Sequence, residues 1–274
     1  MPWFPDFVNA AELAHKQTRV QGHEDPVGQF FAALNDGDAR TLETAWPGEV
    51  AVFDPRAGEI RGHKELRHFV HVNQVWLGEQ HARAERIATT RAGGRAVVEL
   101  LAWLGGDGHE EVAWPVAVVA ESANERSVVF RTYCSQWPVD GHRHLRPPIL
   151  ASAATPLGDV VGHYLAALAA GDADAIVGTF SPTGYLREPV GTHTQHTGPD
   201  ALREFFTKTF AVGGLHLEPC VVTDDGVRCV LEYNCVGWGS HDVPPQAGVC
   251  VFDRGLDGLL SAVRVYDDIE APAA

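Results

Sequence analysis

Residues 164–180, YLAALAAGDADAIVGTF, repeat the sequence of residues 30–46, FFAALNDGDARTLETAW, at an offset of 134 positions. The identical residues are Ala32/Ala166, Ala33/Ala167, Leu34/Leu168, Gly37/Gly171, Asp38/Asp172 and Ala39/Ala173. Further matches at nearly the same offset are FDP (53–55) with REP (187–189), GHKELRHFV (62–70) with GPDALREFF (198–206), RAVVE (95–99) with RCVLE (228–232), and RTY (131–133) with RVY (264–266). An offset this steady over half of the chain indicates a duplicated domain, because a period of about 130 residues is too long for a solenoid.

The two copies are separated by a segment that has the composition of a linker. Residues 140–156, DGHRHLRPPILASAATP, are rich in proline and polar residues, which is typical of connections between domains. We therefore predict domain 1 at residues 1–139, a solvated linker at 140–155 and domain 2 at 156–274.

Each copy begins with helices and ends with strands. In domain 2, apolar residues recur at helical spacing from Val160 to Leu168. Thr155 and Pro156 are the candidate cap and first residue of that helix, which Gly171 ends. A short second helix follows Asp172, and a third covers 198–210. Four strand-like stretches then follow, near 215–222, 227–236, 246–253 and 260–268, with turn residues between them.

This order of elements predicts an α+β protein made of two tandem cone-shaped barrels. Each barrel is expected to be a curled antiparallel sheet around three helices. Since a sheet that curls around helices leaves a pocket at its open end, we also expect a binding cavity in each copy.

Composition excludes several classes of function. The 274 residues carry a net charge of −15 with 45% hydrophobic residues, which disfavours nucleic acid and anionic membranes as partners. No apolar run approaches the roughly 18 residues that cross a bilayer, and the first residues do not resemble a secretory signal. The five cysteines lack CxxC spacing, so we expect free thiols and no metal site. We also expect no cofactor, and a cytoplasmic location, where thiols stay reduced.

The segment YLAALAAGDADAIVGTF…REPVGTHTQHTGPDALREFF (164–206) resembles a ketosteroid isomerase-like domain. That family belongs, with the SnoaL-like polyketide cyclases, limonene epoxide hydrolase and nuclear transport factor 2, to the NTF2-like superfamily. The resemblance covers essentially all of domain 2 and, more weakly, domain 1. It implies the cone-shaped fold more firmly than any one reaction, because such a fold hosts many functions.

The resemblance implies a base and a hydrogen-bond donor in domain 2. Glu188 stands where ketosteroid isomerases carry the proton-shuttling acid before proline, and Tyr164 matches their oxyanion-hole tyrosine. In domain 1, Asp54 occupies the position of the base, but Phe30 replaces the tyrosine. The family's second donor, a protonated aspartic acid, corresponds to Gly248, which has no side-chain proton to give.

Further residues are candidates for the pockets. Asp267, in the last strand, falls where family members place a pocket-lining side chain and is a candidate second carboxylate. The other candidates for the substrate pockets are His193, Glu218 and Tyr266 in domain 2, and Phe30 and Trp103 in domain 1. Because these domains commonly pair through their sheets, we expect the two copies to form a pseudo-dimer within the chain; a homo-oligomer of such chains stays open.

Three functions remain as alternatives. The first is a cofactor-independent isomerase or cyclase, which acts on a hydrophobic carbonyl compound of polyketide or steroid type through Glu188 and Tyr164. The second is an epoxide hydrolase or an epoxide-opening cyclase, in which Glu188 works with Asp267 or Glu218. The third is a protein that binds a hydrophobic small molecule without converting it.

Overall fold

The two copies of the repeat fold into the same order of helices and strands. The computed structural model describes residues 5–105, 111–155, 157–191, 194–270 and 272. Domain 1 comprises α1 (Pro5–Glu24), α2 (Pro26–Asp36), α3 (Arg40–Ala45), β1 (Glu49–Asp54), β2 (Gly58–Ile60), α4 (His63–Glu79), β3 (Arg83–Ala92), β4 (Arg95–Leu104), β5 (Val112–Asn124), β6 (Ser127–Tyr133) and α5 (Trp137–Asp140). Domain 2 comprises α6 (Val160–Ala170), α7 (Ala173–Val177), β7 (Phe180–Arg187), β8 (Gln195–Thr197), α8 (Gly198–Thr209), a 3-10 turn (Phe210–Val212), β9 (Leu215–Asp224), β10 (Arg228–Trp238), β11 (Gln246–Arg254) and β12 (Leu260–Tyr266).

The sheets of the two domains have the same topology. Their strand orders are β2-β1-β6-β5-β4-β3 and β8-β7-β12-β11-β10-β9, which confirms the predicted α+β fold with two tandem copies. Neighbouring strands are antiparallel except β1 with β6 and β7 with β12, which run parallel. Among the described residues the edge strands of a sheet do not pair with each other, so each sheet is curled and open rather than closed.

The first helix of domain 2 begins later than the sequence indicates. Its cap is the Asp159 carboxylate, which accepts a hydrogen bond of 3.1 Å from the Val161 backbone N–H, so Thr155 is not the cap; Pro156 lies outside the described residues. The helix ends as predicted at Gly171, whose φ of 68° is left-handed. Asp172 then caps α7 by accepting from the backbone N–H groups of Asp174 and Ala175.

The inner face of each sheet packs against the helices of its own domain. Phe30, Leu42 and Phe130 are at most 1% exposed in the core of domain 1, and Phe206, Leu231 and Phe252 are equally buried in domain 2. Each domain therefore has a hydrophobic core of its own.

The outer faces of the two sheets pack against each other. This interface contains Val97, Ala117, Val119 and Tyr133 of domain 1 with Val230, Ala247, Val249, Val251 and Tyr266 of domain 2. All of these residues are at most 4% exposed, so a continuous apolar surface joins the sheets into a pseudo-dimer.

Two buried ion pairs cross this interface. Arg131 donates to Glu232 at 2.6 and 2.8 Å, and Arg264 donates to Glu99 at 2.5 and 2.9 Å. Each carboxylate also accepts a tyrosine hydroxyl, from Tyr133 at 2.7 Å or from Tyr266 at 2.6 Å. The arginines, the carboxylates and the tyrosines are equivalent residues of the repeat, so the two clusters are related by a pseudo-twofold axis.

We expect Glu232→Gln to lower the free energy of unfolding by about 3 kcal/mol, the low end of the cost of breaking a buried ion pair. The buried Arg131 then keeps only the partly exposed Glu121 as a counter-charge. The side chains of Arg131 and Glu232 are each 2% exposed. Chemical denaturation followed by circular dichroism measures the change. Glu204→Gln is the matched control, since Glu204 pairs with Lys208 on the surface and should contribute little. If both variants lose the same free energy of unfolding, the interdomain ion pair does not stabilise the protein more than a surface pair does.

Candidate active site

A cavity of about 550 Å³ lies in domain 2, between the inner face of the sheet and the helices α6 and α8. Its apolar walls are formed by Leu168, Leu186, Phe205, Phe206, Leu215, Leu217, Trp238, Phe252, Val265 and Ile269. Its volume suits a small molecule, and its walls suit an apolar one. Polar groups reach this cavity from several separate segments of the chain.

Glu188 enters the cavity directly after β7. Its backbone N–H donates to the Thr194 carbonyl at 3.0 Å, and Pro189 fixes the following turn. The carboxylate Oε1 lies 2.8 Å from His196 Nε2 on the neighbouring strand β8, and the imidazole stacks on Phe205 with 4.4 Å between ring centroids. Both side chains are 27% exposed, so the pair is held in place and remains accessible from the cavity.

Tyr164 projects from α6 into the same cavity. The residue is 4% exposed, and its ring makes edge contacts with Phe180, Phe206 and Phe252. Burial raises the pKa of its phenol well above the ordinary value, so the hydroxyl keeps its proton. Within the described residues this hydroxyl has no hydrogen-bond partner, which leaves it available to an oxygen atom of a ligand.

Asp267 reaches the cavity from the end of β12. Burial raises the pKa of this carboxyl to about 6, even though hydrogen bonds from Tyr233 and from the Ile269 backbone N–H favour the charged form. The Tyr233 hydroxyl donates to Oδ2 at 2.5 Å. Asp267 can therefore carry a proton in weakly acidic solution, as a general acid does.

Gly248 provides the space that Tyr233 occupies. The two residues are opposite each other on β10 and β11, and a Cβ atom on Gly248 would lie 2.6 Å from the tyrosine ring. Position 248 therefore has no side-chain donor, and a tyrosine ring from the neighbouring strand occupies the space beside it. The hydroxyl of Tyr233 and the carboxyl of Asp267 form a hydrogen-bonded pair beside it.

The linker also contributes to the cavity, although its composition predicts a solvated tether. Arg143 lines the cavity, and its Nη1 donates to the Ile269 carbonyl at 2.9 Å. The buried Asp268 fixes this stretch, since it accepts from Ser135 Oγ at 2.6 Å and from the His144 backbone N–H at 2.8 Å. The guanidinium of Arg143, which belongs to neither sheet, is thereby held beside Asp267.

Three of the predicted pocket residues lie elsewhere. Glu218 is exposed and accepts a hydrogen bond from Ser152. Tyr266 faces the interdomain interface, because it alternates along β12 with the cavity-lining Val265. Trp103 lies under the Arg83 guanidinium, 4.2 Å from its ring centroid, and is absent from the cavity wall of domain 1. The predictions that these three residues line a pocket are therefore wrong.

The remaining predicted residues have other environments. Phe30 and Asp54 line a cavity of domain 1, where Asp54 Oδ1 accepts the backbone N–H groups of Arg56 and Ala57, each at 2.9 Å. His193 lies outside the described residues. The cavity of domain 2 thus brings together Glu188, Tyr164 and Asp267, which remain candidates for catalysis.

The sequence prediction missed several polar residues of the cavity, among them His196, Tyr233 and Arg143. Tyr233 was accessible in principle, because it lies on the same face of β10 as the buried apolar Leu231 and Cys235, two positions away on either side. The position of His196 depends on the pairing of β8 with β7, and that of Arg143 depends on the path of the linker. Neither has a local signal in the sequence.

Residues 161–262 match the family model of the SnoaL-like domain. No curated protein matches the chain significantly. Among solved structures the chain is similar to a candidate polyketide cyclase from Sinorhizobium meliloti (22% identity, 40% of this chain and 94% of that chain, TM-score 0.34). It is also similar to a hypothetical protein with a ketosteroid isomerase-like fold from Catenulispora acidiphila, in complex with trimethylamine (15%, 42% and 90%, 0.36). A third similar structure is that of the epoxide hydrolase/cyclase-like enzyme SalBIII of pyran ring formation in salinomycin (25%, 39% and 86%, 0.34).

The raised pKa of Asp267 makes a prediction about stability. Between about pH 4 and pH 6 the folded protein retains a proton on Asp267 that the unfolded chain has released, so this residue lowers stability as the pH rises through that window. Asp267→Asn cannot titrate and removes the loss. Relative to the wild type, we expect the free energy of unfolding of the variant to rise by roughly 3 kcal/mol between pH 4 and pH 7. This value follows from about 1.4 kcal/mol for each unit by which the pKa of Asp267 differs between the folded and unfolded states.

Chemical denaturation of both proteins at several pH values measures this difference. Asp200→Asn is the control, because that carboxylate is fully exposed on α8. A difference between Asp267→Asn and the wild type that stays constant with pH would rule out a raised pKa at this residue.

Proposed function

From the SnoaL-like domain of residues 161–262, we propose that domain 2 is a cofactor-independent isomerase or cyclase that acts on a hydrophobic carbonyl compound of polyketide or steroid type. One observation carries the proposal: Glu188, Tyr164 and Asp267 reach a single cavity whose other walls are mainly apolar. A base, a phenolic donor and a carboxyl with a raised pKa are the groups that proton transfer beside a carbonyl needs.

In this proposal Glu188 is the base. Its carboxylate removes a proton from the carbon beside the carbonyl, and the electron pair of the broken C–H bond moves to form the enolate. The protonated Glu188 then returns the proton to another carbon. In the ring-closing alternative the enolate carbon attacks a second carbonyl, whose π electrons move to its oxygen, and the resulting alkoxide takes the proton from Glu188. The hydrogen bond with His196 at 2.8 Å orients the carboxylate, and the cavity walls limit its hydration.

Tyr164 is the donor to the substrate oxygen. Since burial keeps its phenol protonated, the hydroxyl can hydrogen-bond the carbonyl oxygen and strengthen that bond as negative charge develops. Asp267, when protonated, is a second donor, and Tyr233 holds it in position. Asp267 would thereby donate the second hydrogen bond to the substrate oxygen, which Gly248 cannot donate because it has no side chain.

An epoxide-opening reaction is the second candidate, and the raised pKa of Asp267 is the observation that favours it. A protonated Asp267 would give its proton to the epoxide oxygen as the C–O bond breaks. Glu188 would take a proton from the attacking water or hydroxyl group. Glu218 takes no part in this scheme, because it lies outside the cavity.

We expect Glu188→Gln to reduce proton exchange about 10²- to 10⁴-fold, the usual contribution of a general base. The measurement is the exchange of α-protons for deuterium in hydrophobic cyclic ketones, followed by nuclear magnetic resonance in heavy water. Ligand affinity should change little, because the amide replaces the carboxylate at equal size. Tyr164→Phe should slow the same exchange while leaving Glu188 intact.

Glu218→Gln is the matched control, since it makes the same chemical change on the outside of the sheet. The proposal is contradicted if Glu188→Gln exchanges the α-protons at the wild-type rate. It is also contradicted if Asp54→Asn, rather than Glu188→Gln, abolishes the exchange. Incorporation of ¹⁸O from labelled water into an epoxide substrate, lost in both Glu188→Gln and Asp267→Asn, would establish the second candidate in place of the first.

A further inference from the structure

Domain 1 encloses a cavity of its own, of about 580 Å³. This volume is close to the 550 Å³ of the domain 2 cavity. Its walls are also aromatic, since they include Phe30, Phe31, Phe69, Trp76 and Trp114. Trp76 and Trp114 meet edge to face with 5.8 Å between ring centroids. The cavity thus offers two flat aromatic surfaces inclined by 72° to one another.

The groups that make domain 2 a candidate enzyme are replaced in domain 1. At the repeat offset, Phe30 stands for Tyr164, Leu100 stands for Tyr233, and Cys134 stands for Asp267. The pairing of β1 with β2 places Ile60 at the position of His196. Burial raises the pKa of the Cys134 thiol, so it stays neutral. The domain 1 cavity is thus similar in volume to the domain 2 cavity, but these proton-transfer groups are replaced.

The one carboxylate retained, Asp54, is already engaged. Its Oδ1 accepts two backbone N–H groups of the following turn, which fixes it as a turn-stabilising residue. An equivalent of the His196–Glu188 pair is absent from the described part of domain 1, because Ile60 has no polar atom in its side chain.

The cavity of domain 1 is lined by the guanidinium of Arg56, which does not correspond to any of the acid–base residues of domain 2. Arg56 lines this cavity, and its guanidinium lies 4.1 Å from the ring centroid of Trp76. Arg83 and Arg86 also line it, but they pair with Glu111 and Asp25. Within the described residues Arg56 makes no ion pair. Stacking on the indole face leaves the donors at the edge of the guanidinium for an anion.

We propose that the domain 1 cavity is a second ligand site, which binds a planar aromatic carboxylate and does not convert it. The aromatic walls accept the ring system, and the fork of N–H donors of Arg56 matches the two oxygens of a carboxylate. The site is separate from the cavity of domain 2 and does not rest on the function proposed there.

The test uses 2-naphthoate and its neutral methyl ester, which share one ring system and differ in charge. Because both cavities admit a naphthyl group, the titrations are made with the full chain carrying Leu217→Trp, which obstructs the domain 2 cavity with an indole ring. Calorimetry should show one site for 2-naphthoate. Adding Arg56→Gln should weaken its binding about tenfold, as the loss of a charge-assisted hydrogen bond does, and leave the ester unaffected.

Two further variants make the test specific. Ala102→Trp fills the domain 1 cavity and should remove binding of both compounds, with circular dichroism to verify folding. Arg203→Gln removes an equal charge from an exposed arginine of α8 and should change nothing.

The proposal fails if 2-naphthoate does not bind. It also fails if Arg56→Gln weakens acid and ester equally or not at all, or if Arg203→Gln has the effect of Arg56→Gln. The claim that the ligand is not converted fails if 2-naphthoate incubated with the protein is recovered as a different compound.

Discussion

The reciprocal ion pairs of Arg131 with Glu232 and of Arg264 with Glu99 are the constraint on which the two-domain structure depends. Each domain buries a glutamate whose counter-charge, an arginine, belongs to the other domain. Since a buried charge without a partner is costly, the sheets have one low-energy register, in which both pairs and both tyrosine hydroxyls are satisfied. The surrounding valines and alanines supply the apolar contact, but valine and alanine faces alone would tolerate other registers.

The strands that carry these pairs also form the cavities. Along β12, Arg264 and Tyr266 point to the interface, whereas Val265 and the following Asp267 point into the cavity of domain 2. Along β6, Arg131 and Tyr133 alternate in the same way with Thr132 and Cys134 of domain 1. The interface therefore determines the position of one wall of each site. The linker adds to this coupling, because Asp268 holds the backbone that presents Arg143 to the cavity.

The sequence predicted the fold because the repeat supplies two independent examples of every element, and the strands of domain 2 lie within a few residues of their predicted bounds. It also identified Glu188, Tyr164 and Asp267, which converge in one cavity, although their roles in catalysis stay predictions. Tyr266 and Trp103 were assigned to the wrong face, since a strand buried on both faces shows no polar alternation. The position of His196 depends on the pairing of β8 with β7 and that of Arg143 on the path of the linker, and a single sequence reveals neither.

Fusion of the two copies makes their pairing independent of protein concentration. Two separate subunits with this interface would come apart on dilution, whereas joined domains see each other at an effective concentration in the millimolar range. A separate homodimer must also carry every substitution twice. The fused chain is free of that symmetry, so Asp267 and Cys134, or Tyr164 and Phe30, can differ while the paired residues of the interface stay alike. The asymmetry of the two cavities is thus a consequence of covalent linkage.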